Sequence, residues 1–225
     1  MLKIRCSSIG KIMTNSRSKT ETLSKTTKTY LQELAIEEMY GKRKEFSSRY
    51  TDKGNAVEDE GIKLAESVLD LGFMYKNEEH FTNDFLTGTP DVNTDIILDV
   101  KSSWDATTFP FFAEEIPNKD YFYQLQGYMA LTGRRKSFLC YCLVNTPVLM
   151  VEDEVRRAHW KQNLIDESEE LRDHVEAQHN FDNIPAEKRI KTFEVRYDKE
   201  VVKAIYDRIK ECREYYNTLI NQEDE

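Results

Sequence analysis

Two aspartates and a lysine stand close together in the segment 88–101, Gly-Thr-Pro-Asp-Val-Asn-Thr-Asp-Ile-Ile-Leu-Asp-Val-Lys. Asp99 and Lys101 are two residues apart, so on a β-strand they project from the same face. Asp91 lies just before them, at a turn from which the chain can fold back onto that strand. Two carboxylates at one point supply the oxygen ligands that Mg²⁺ prefers, and a lysine beside the metal can orient or help to deprotonate a water. The segment therefore predicts a magnesium centre for hydrolysis of a phosphate ester.

A simpler interpretation of this segment is a charged hairpin in which Asp99 and Lys101 form a surface pair, because short patterns of this kind are common. The surrounding residues favour a functional site. Residues 96–101 read Ile-Ile-Leu-Asp-Val-Lys, and this β-branched, apolar character is typical of a central strand. Burying two charges in such a strand without a function would be energetically costly.

Three more polar residues can join this centre from predicted helices. Glu58 follows Gly54 by four residues and can bring a third carboxylate to the end of the strand, although its Glu-Asp-Glu run would otherwise be solvated. Gln124 and Tyr128 are four residues apart and therefore share a helical face, whereas Gln126 points elsewhere. Each signal is weak alone, but their order along the chain supports the centre.

The elements that position these residues are indicated by hydrophobic periodicity and by capping residues. We predict helices in residues 7–13, 23–41, 51–69, 120–131 and 148–180, and a last amphipathic helix capped by Asp198. We predict strands in residues 73–75, 80–82, 95–103, 136–144 and 191–197. This order indicates an α/β fold with one mixed central β-sheet flanked by α-helices.

The composition is that of an ordinary globular protein, with 39% hydrophobic and 32% charged residues in a chain of 225. We interpret the chain as one domain, 1–225, with a helical elaboration at its C-terminal end. No apolar run reaches the roughly 20 residues needed to cross a bilayer, and no signal peptide is recognisable, so we expect a cytoplasmic protein. The four cysteines lack the spacing of zinc ligands, which indicates buried thiols and implies no disulfide framework.

The net charge of −9 is unusual for a protein that binds nucleic acid, but the charge is unevenly distributed. Residues 1–57 contain twelve basic and six acidic residues, a net charge of +6, whereas the remaining chain has a net charge of −15. A basic first quarter can contact phosphates, although such a patch is more often a solvated face. The acidic runs at 152–154 and 223–225 are expected to be solvated and can keep DNA off the outer surface.

Taken in order, these motifs resemble the PD-(D/E)xK nuclease superfamily, and within it the lambda-exonuclease-like branch of phage recombination nucleases. The resemblance spans about residues 4–202 and implies a restriction-endonuclease-like fold. It rests on the motifs Ile4-Arg-Cys-Ser7, Gly54-Asn-Ala-Val-Glu58, Thr89-Pro-Asp91, Asp99-Val-Lys101 and Gln124-x-x-x-Tyr128.

The resemblance implies a role for each residue of the centre. Glu58 would help to hold a second metal ion or its waters. Lys101 would serve the attacking water, and Gln124 would position it. One Mg²⁺, replaceable by Mn²⁺, would be bound by Asp91, Asp99 and the main-chain carbonyl of Val100.

The family also holds a terminal 5′-phosphate with small polar groups, and Ser7 and Thr89 stand at those positions. Its phosphate-reading arginine lies upstream of the Ser-containing motif, where this sequence does not supply one, and our candidate substitute is Arg5 or another basic residue of the first quarter. Trp104 adjoins the active strand and can stack on separated bases, although core packing is its more ordinary role. Tyr128 completes the predicted DNA contacts.

We therefore expect a magnesium-dependent exonuclease that degrades one strand of linear duplex DNA, 5′→3′, by two-metal hydrolysis. Its setting would be phage-type recombination in a bacterial host. The resemblance also implies a ring-like homotrimer and a single-strand annealing protein as partner. Two alternatives stay open: an endonuclease or flap-cutting enzyme with the same centre, and a non-catalytic acidic helical module that binds proteins. Cleavage of a closed circular duplex would favour the endonuclease over the exonuclease. Absence of Mg²⁺ or Mn²⁺ binding would favour the non-catalytic module.

Overall fold

Two β-sheets form the centre of the fold in a computed structural model that describes residues 1–44, 47–164, 166 and 168–221. In one sheet β1 lies parallel to β3, which pairs antiparallel with β2, in the order β1-β3-β2. In the other, of order β4-β5-β6-β7, only the β5–β6 pair is parallel. The strands are β1 Ile4–Arg5, β2 Phe81–Thr82, β3 Leu86–Gly88, β4 Val92–Asn93, β5 Ile97–Ser102, β6 Lys136–Cys142 and β7 Ile190–Arg196.

Helices cover both faces of the four-stranded sheet. They are α1 Ile9–Ile12, α2 Lys25–Tyr40, α3 Arg49–Ala56, α4 Glu58–Val68, α5 Lys119–Thr132, α6 Val148–Lys161, α7 Glu169–His179 and α8 Lys199–Ile220. Short 3₁₀ turns occupy Cys6–Ser8 and Ala186–Lys188. The predicted α/β class, a restriction-endonuclease-like mixed sheet flanked by helices, is confirmed.

Helix ends lie where the sequence places capping residues. The Ser24 side chain accepts from the Thr27 N–H at the start of α2, and Asp198 caps α8 in the same way. Gly41 and Gly133 end α2 and α5 with φ of +62° and +76°, a left-handed conformation that favours glycine. The predicted helices 23–41 and 120–131, and the last helix, are thus confirmed within a few residues.

Alternation along β5 separates two hydrophobic cores. Leu98 and Val100 pack with α4 on one face, whereas Ile97 belongs to the core beneath α5 and α8. Asp99 and Lys101 share the face of Ile97, since side chains two residues apart point the same way. The reactive pair therefore faces α5. All four cysteines are buried and free, as predicted.

Three predicted elements are wrong in detail. The helix 51–69 is two helices, because the chain breaks at Val57 (φ −118°, ψ 19°) after the poor helix formers Gly54 and Asn55. Residues 73–75 form no strand: Phe73 and Tyr75 are exposed, and only Met74 between them is buried. The single predicted sheet is two sheets, since the segment 89–91 between β3 and β4 leaves the ladder.

None of the described helices is both long and apolar enough to cross a membrane. The acidic run 152–154 lies on α6, where Glu152 and Glu154 are ion-paired with Arg172 and Arg49. The run 223–225 lies outside the described residues.

Candidate active site

Asp99 is fully buried on β5 and is held from two sides. Its Oδ1 accepts a hydrogen bond from Gln124 Nε2 of α5 at 3.0 Å, and its Oδ2 lies 2.5 Å from Lys101 Nζ. The same Gln124 nitrogen also donates to the Tyr128 hydroxyl at 3.0 Å, one helical turn along. The predicted shared face of Gln124 and Tyr128 thus reaches the strand. Gln126 instead bonds to Arg196 O and the Asp198 N–H, pointing elsewhere as predicted.

Asp91 lies against the middle of β5, beside Asp99. Its Oδ2 accepts the Val100 N–H at 2.7 Å, which fixes the carboxylate against the strand. Burial raises the pKa of Asp91 to about 8, and the nearby charge of Asp99 adds to the rise, while Lys101 and the Val100 N–H oppose it. Two carboxylates that are close together and shielded from water repel each other. A cation bound between them would relieve this repulsion.

Lys101 is the cation beside Asp99, at 2.5 Å from its Oδ2. Burial lowers its pKa, but the carboxylates of Asp99 and Asp91 outweigh burial, and the net pKa is raised. The ammonium lies 5.0 Å from the centre of the Tyr121 ring, which also favours the charged form. The two carboxylates thus favour the charged form of Lys101.

The donor set fits a hard divalent cation. Asp99 Oδ2 is buried and receives no well-directed hydrogen bond, so beyond the Lys101 ion pair it retains an open lone pair. No three His, Cys, Asp or Glu side chains form a ready metal cluster among the described residues. The Val100 carbonyl stays a prediction as the third donor beside Asp91 and Asp99.

Glu58 lies at the edge of this centre, as the first residue of α4. Its carboxylate pairs with Lys76 Nζ at 3.2 Å, yet its charge is close enough to contribute to the raised pKa of Asp91. The position of α4 depends on Gly61, where a Cβ would lie 2.6 Å from Val100 Cγ1. Sequence reasoning missed Gly61; its signal was a glycine within an otherwise helical pattern.

The predicted phosphate-binding residues lie along the three-stranded sheet. Arg5 is directly opposite Thr87 on β3, and its guanidinium is ion-paired with Glu37 at 3.1 Å. Ser7 is exposed in the first 3₁₀ turn. Thr89 Oγ1 lies 2.9 Å from His80 Nδ1, and no signal in the sequence marked this histidine.

Two predicted DNA contacts are buried. Trp104 is 5% exposed, and its ring packs edge-on against Tyr50 and His179. Tyr128 is also 5% exposed, with its hydroxyl turned to Gln124. Neither ring has a free face for a base, so the prediction of stacking by Trp104 and contact by Tyr128 is corrected: both pack in the core.

The basic first quarter is less available to phosphate than its charge suggests. Lys53 is fully buried and donates to the carbonyls of Ser103 and Trp104 at 2.8 and 2.9 Å, directly after β5. Sequence reasoning missed this role, because lysine is rarely buried. Within residues 1–44 and 47–57, ion pairs to carboxylates also engage Arg5, Lys28, Lys44 and Arg49.

No protein-family model and no curated protein matches the sequence. Among solved structures, a phage-related exonuclease from Haemophilus somnus 129PT has a TM-score of 0.79 and 30% identity, over 98% of this chain and 96% of that one. The alkaline exonuclease LHK-Exo from Laribacter hongkongensis has a TM-score of 0.65 and 14% identity, over 99% and 91% of the two chains. The structure of LHK-Exo in complex with dAMP has a TM-score of 0.65 and 16% identity, over 98% of this chain and 90% of that one. The LHK-Exo structures show a shared fold. The Haemophilus similarity extends over nearly all of both chains, and with it the chain belongs to the lambda-exonuclease-like branch of the PD-(D/E)xK nucleases.

Proposed function

We propose that this protein is a magnesium-dependent exodeoxyribonuclease that degrades one strand of linear double-stranded DNA in the 5′→3′ direction. The observation that carries the proposal is the convergence of Asp91, Asp99, Lys101 and Gln124 where β5 faces α5. Membership of a branch with exonucleases supports it. Phage-type recombination in the cytoplasm of a bacterial host is the setting we propose.

In this proposal Asp91, Asp99 and the Val100 carbonyl hold one Mg²⁺, and Glu58 helps to hold a second. Bound metal supplies Lewis acidity, neutralises phosphate charge and lowers the pKa of water. Mn²⁺ would substitute, because it accepts the same oxygen ligands.

The chain itself arranges the reactants. Gln124 fixes the rotamer of Asp99 by donating to its Oδ1, which leaves Oδ2 directed at the reaction centre. Lys101, held as a cation, attracts the scissile phosphate and offsets the negative charge that develops on its oxygens. The Val100 N–H keeps Asp91 in place against the strand.

The direct test is digestion of a linear duplex with Mg²⁺ by the purified protein. We expect release of nucleotides from linear DNA and none from a covalently closed circular duplex of the same sequence. Cleavage of the circle would favour an endonuclease with the same centre. Absence of nucleotide release, together with no Mg²⁺ or Mn²⁺ binding by calorimetry, would favour the acidic interaction module.

We also propose a ring-like homotrimer that works with a single-strand annealing protein. Helix α6 exposes Val148 and Leu149 at its start and Trp160 near its end, and these apolar side chains are available for a contact between copies. Light scattering at working concentration should give three times the mass of one chain. A monomer would rule out the ring, and failure of an annealing protein to co-purify or to stimulate digestion would count against the partner.

A further inference from the structure

The ring of Tyr121, in the first turn of α5, lies beside the ammonium of Lys101. Lys101 Nζ is 5.0 Å from the centre of this ring and 2.5 Å from Asp99 Oδ2. A cation is attracted by the negative face of an aromatic ring, and the attraction is stronger where water is excluded. Lys101 is therefore held by two different groups, a carboxylate of its own strand and an uncharged ring of the facing helix.

The Tyr121 ring is itself fixed by side chains of two strands. Tyr141 on β6 is paired with Lys101 in the ladder and packs edge-on against Tyr121, with the ring centres 6.2 Å apart. Phe193 on β7 packs edge-on against Tyr141 in turn, at 6.1 Å. Because Phe193 belongs to the buried core, a row of aromatic rings runs from this core to the ammonium. The sheet as well as the helix thus sets the place of the ring.

An uncharged attachment matters because the carboxylate of Asp99 has several tasks. Its Oδ1 accepts from Gln124, and its Oδ2 is shared between Lys101 and the metal ion that we propose there. With a divalent cation at this oxygen, the carboxylate attracts the ammonium less, and the two positive charges repel each other. The ring is not shared with the metal, so its attraction for Lys101 persists.

Held in this way, Lys101 keeps the capacity to bind a substrate. An ammonium has three N–H donors, and Asp99 is the ion-pair partner of Lys101 among the described residues. A ring face engages at most one more of the donors, so one is left for a phosphate oxygen. The Lys101 side chain is 24% exposed, which gives a ligand access to it.

We propose that Tyr121 is a positioning residue for Lys101, whose ring holds the ammonium at the reaction centre while Asp99 is engaged by the metal ion. The proposal rests on the proposed exonuclease function and deepens it, because it adds a residue that acts through Lys101 and not on the substrate itself. The ring is the part that acts. Within the described part of the chain, no residue is hydrogen-bonded to the Tyr121 hydroxyl.

The first test uses two variants that separate the ring from its hydroxyl, with a linear duplex and Mg²⁺. Tyr121→Phe keeps the ring and its attraction for the ammonium, so kcat should stay within about twofold of the parent. Tyr121→Leu removes the ring and should lower kcat about fivefold to thirtyfold, the usual worth of such a contact, with little change in KM. Equal losses in both variants would overturn the proposal, since the hydroxyl would then be the part that acts. Parental kcat in Tyr121→Leu would overturn it as well.

Tyr123→Leu is the matched control, since it makes the same change two residues further along α5. Tyr123 is also partly buried, and its ring centre lies 5.9 Å from another lysine ammonium, that of Lys119. Its ring packs against Phe122. We expect the parental kcat in this variant. A loss as large as that of Tyr121→Leu would indicate a general disturbance of the helix and would overturn the proposal.

The second test measures the contact itself, without metal or DNA. Urea unfolding in the presence of a chelator is compared for Tyr121→Leu, Lys101→Met and the double variant. A direct contact makes the two effects non-additive, so the unfolding equilibrium constant of the double variant should be about twofold to fivefold lower than additivity predicts. Additive effects would overturn the contact and the proposal with it. If the parent releases no nucleotides from linear DNA, the proposed function fails, whereas the coupling still reports whether the ring holds Lys101.

Discussion

Gln124 Nε2 donates to Asp99 Oδ1 and to the Tyr128 hydroxyl, both at 3.0 Å. A helix is thereby coupled to the strand that carries the carboxylate, through one buried amide. The hydroxyl of Tyr128 accepts the second hydrogen bond from Gln124, and the tyrosine ring is itself buried. The orientation of Asp99 therefore depends on the uncharged Gln124 as well as on the Lys101 ion pair.

Replacing Gln124 should lower turnover without unfolding the protein. We expect Gln124→Leu to reduce kcat about tenfold to a hundredfold, because Asp99 loses the donor that fixes its rotamer. Gln126→Leu is the matched control on the same helix: it loses bonds to Arg196 and Asp198 and should cost stability, about 1–3 kcal/mol, with little change in kcat. Similar kcat values in the two variants would contradict a positioning role for Gln124.

Removing either charge of the central pair should abolish nucleotide release. Asp99→Asn removes the charge of a carboxylate that we propose binds the metal, and Lys101→Met removes the cation beside it. We expect losses of at least about a hundredfold in kcat, measured on a linear duplex. Full activity of Lys101→Met would refute the mechanism proposed for this residue.

Metal binding should stabilise the folded protein through Asp91 and Asp99. At about a hundred times its Kd, a ligand that binds only the folded state adds about 2.7 kcal/mol, so Mg²⁺ should raise Tm by several degrees. Asp91→Asn should lose most of this rise, as monitored by circular dichroism with and without chelator. An equal Mg²⁺ response in parent and variant would place the metal elsewhere.

Lys53 should give a distinctive pH dependence of stability. Burial lowers the pKa of its ammonium to about 8, from an ordinary value of 10.5. Below about pH 8 the lysine is charged in both states, and the folded protein bears the full cost of the buried charge. Between about 8 and 10.5 the folded state releases the proton before the unfolded state does, so this contribution to stability rises with pH. Urea unfolding gives the free energy of unfolding of the parent and of Lys53→Met. We expect the parent to gain stability relative to the variant between about pH 8 and 10.5. A difference that does not change with pH would contradict this prediction.

Two glycines in neighbouring helices should respond oppositely to alanine. A methyl group added at Gly54 would meet no atom within 4 Å, so Gly54→Ala should stabilise α3 by up to about 1 kcal/mol. Gly61→Ala would press on Val100 and should destabilise the protein by about 1–3 kcal/mol, while moving α4 and Glu58 away from β5. Chemical denaturation distinguishes the two, and equal effects would show that the α4–β5 contact is loose.

The elements that the sequence predicted are those with a regular period or a cap. Residues 95–103 and the Gln124–Tyr128 face follow from spacings of two and four, and both lie where they were expected. The segment 73–75 was not predicted correctly. Its residues have the local character of a strand, yet no neighbouring strand pairs with them in the described structure.

The parts of the site that the sequence did not predict depend on contacts between distant segments. His80 acquires its threonine partners by the pairing of β2 with β3. Lys53 reads as a surface lysine and is buried because two carbonyls after β5 accept from it. Trp104 adjoins the active strand in sequence but is buried against Tyr50 and His179, which adjacency alone did not reveal.

The alternation along β5 has a consequence for how this strand can change in evolution. Leu98 and Val100 serve the core beneath α4, where another apolar residue of similar volume is tolerated. Asp99 and Lys101 alternate with them, and both are constrained by their ion pair and by the hydrogen bond from Gln124 to Asp99. Among related sequences, substitutions in this strand should therefore alternate. Apolar residues should exchange at positions 98 and 100, whereas positions 99 and 101 should stay the same.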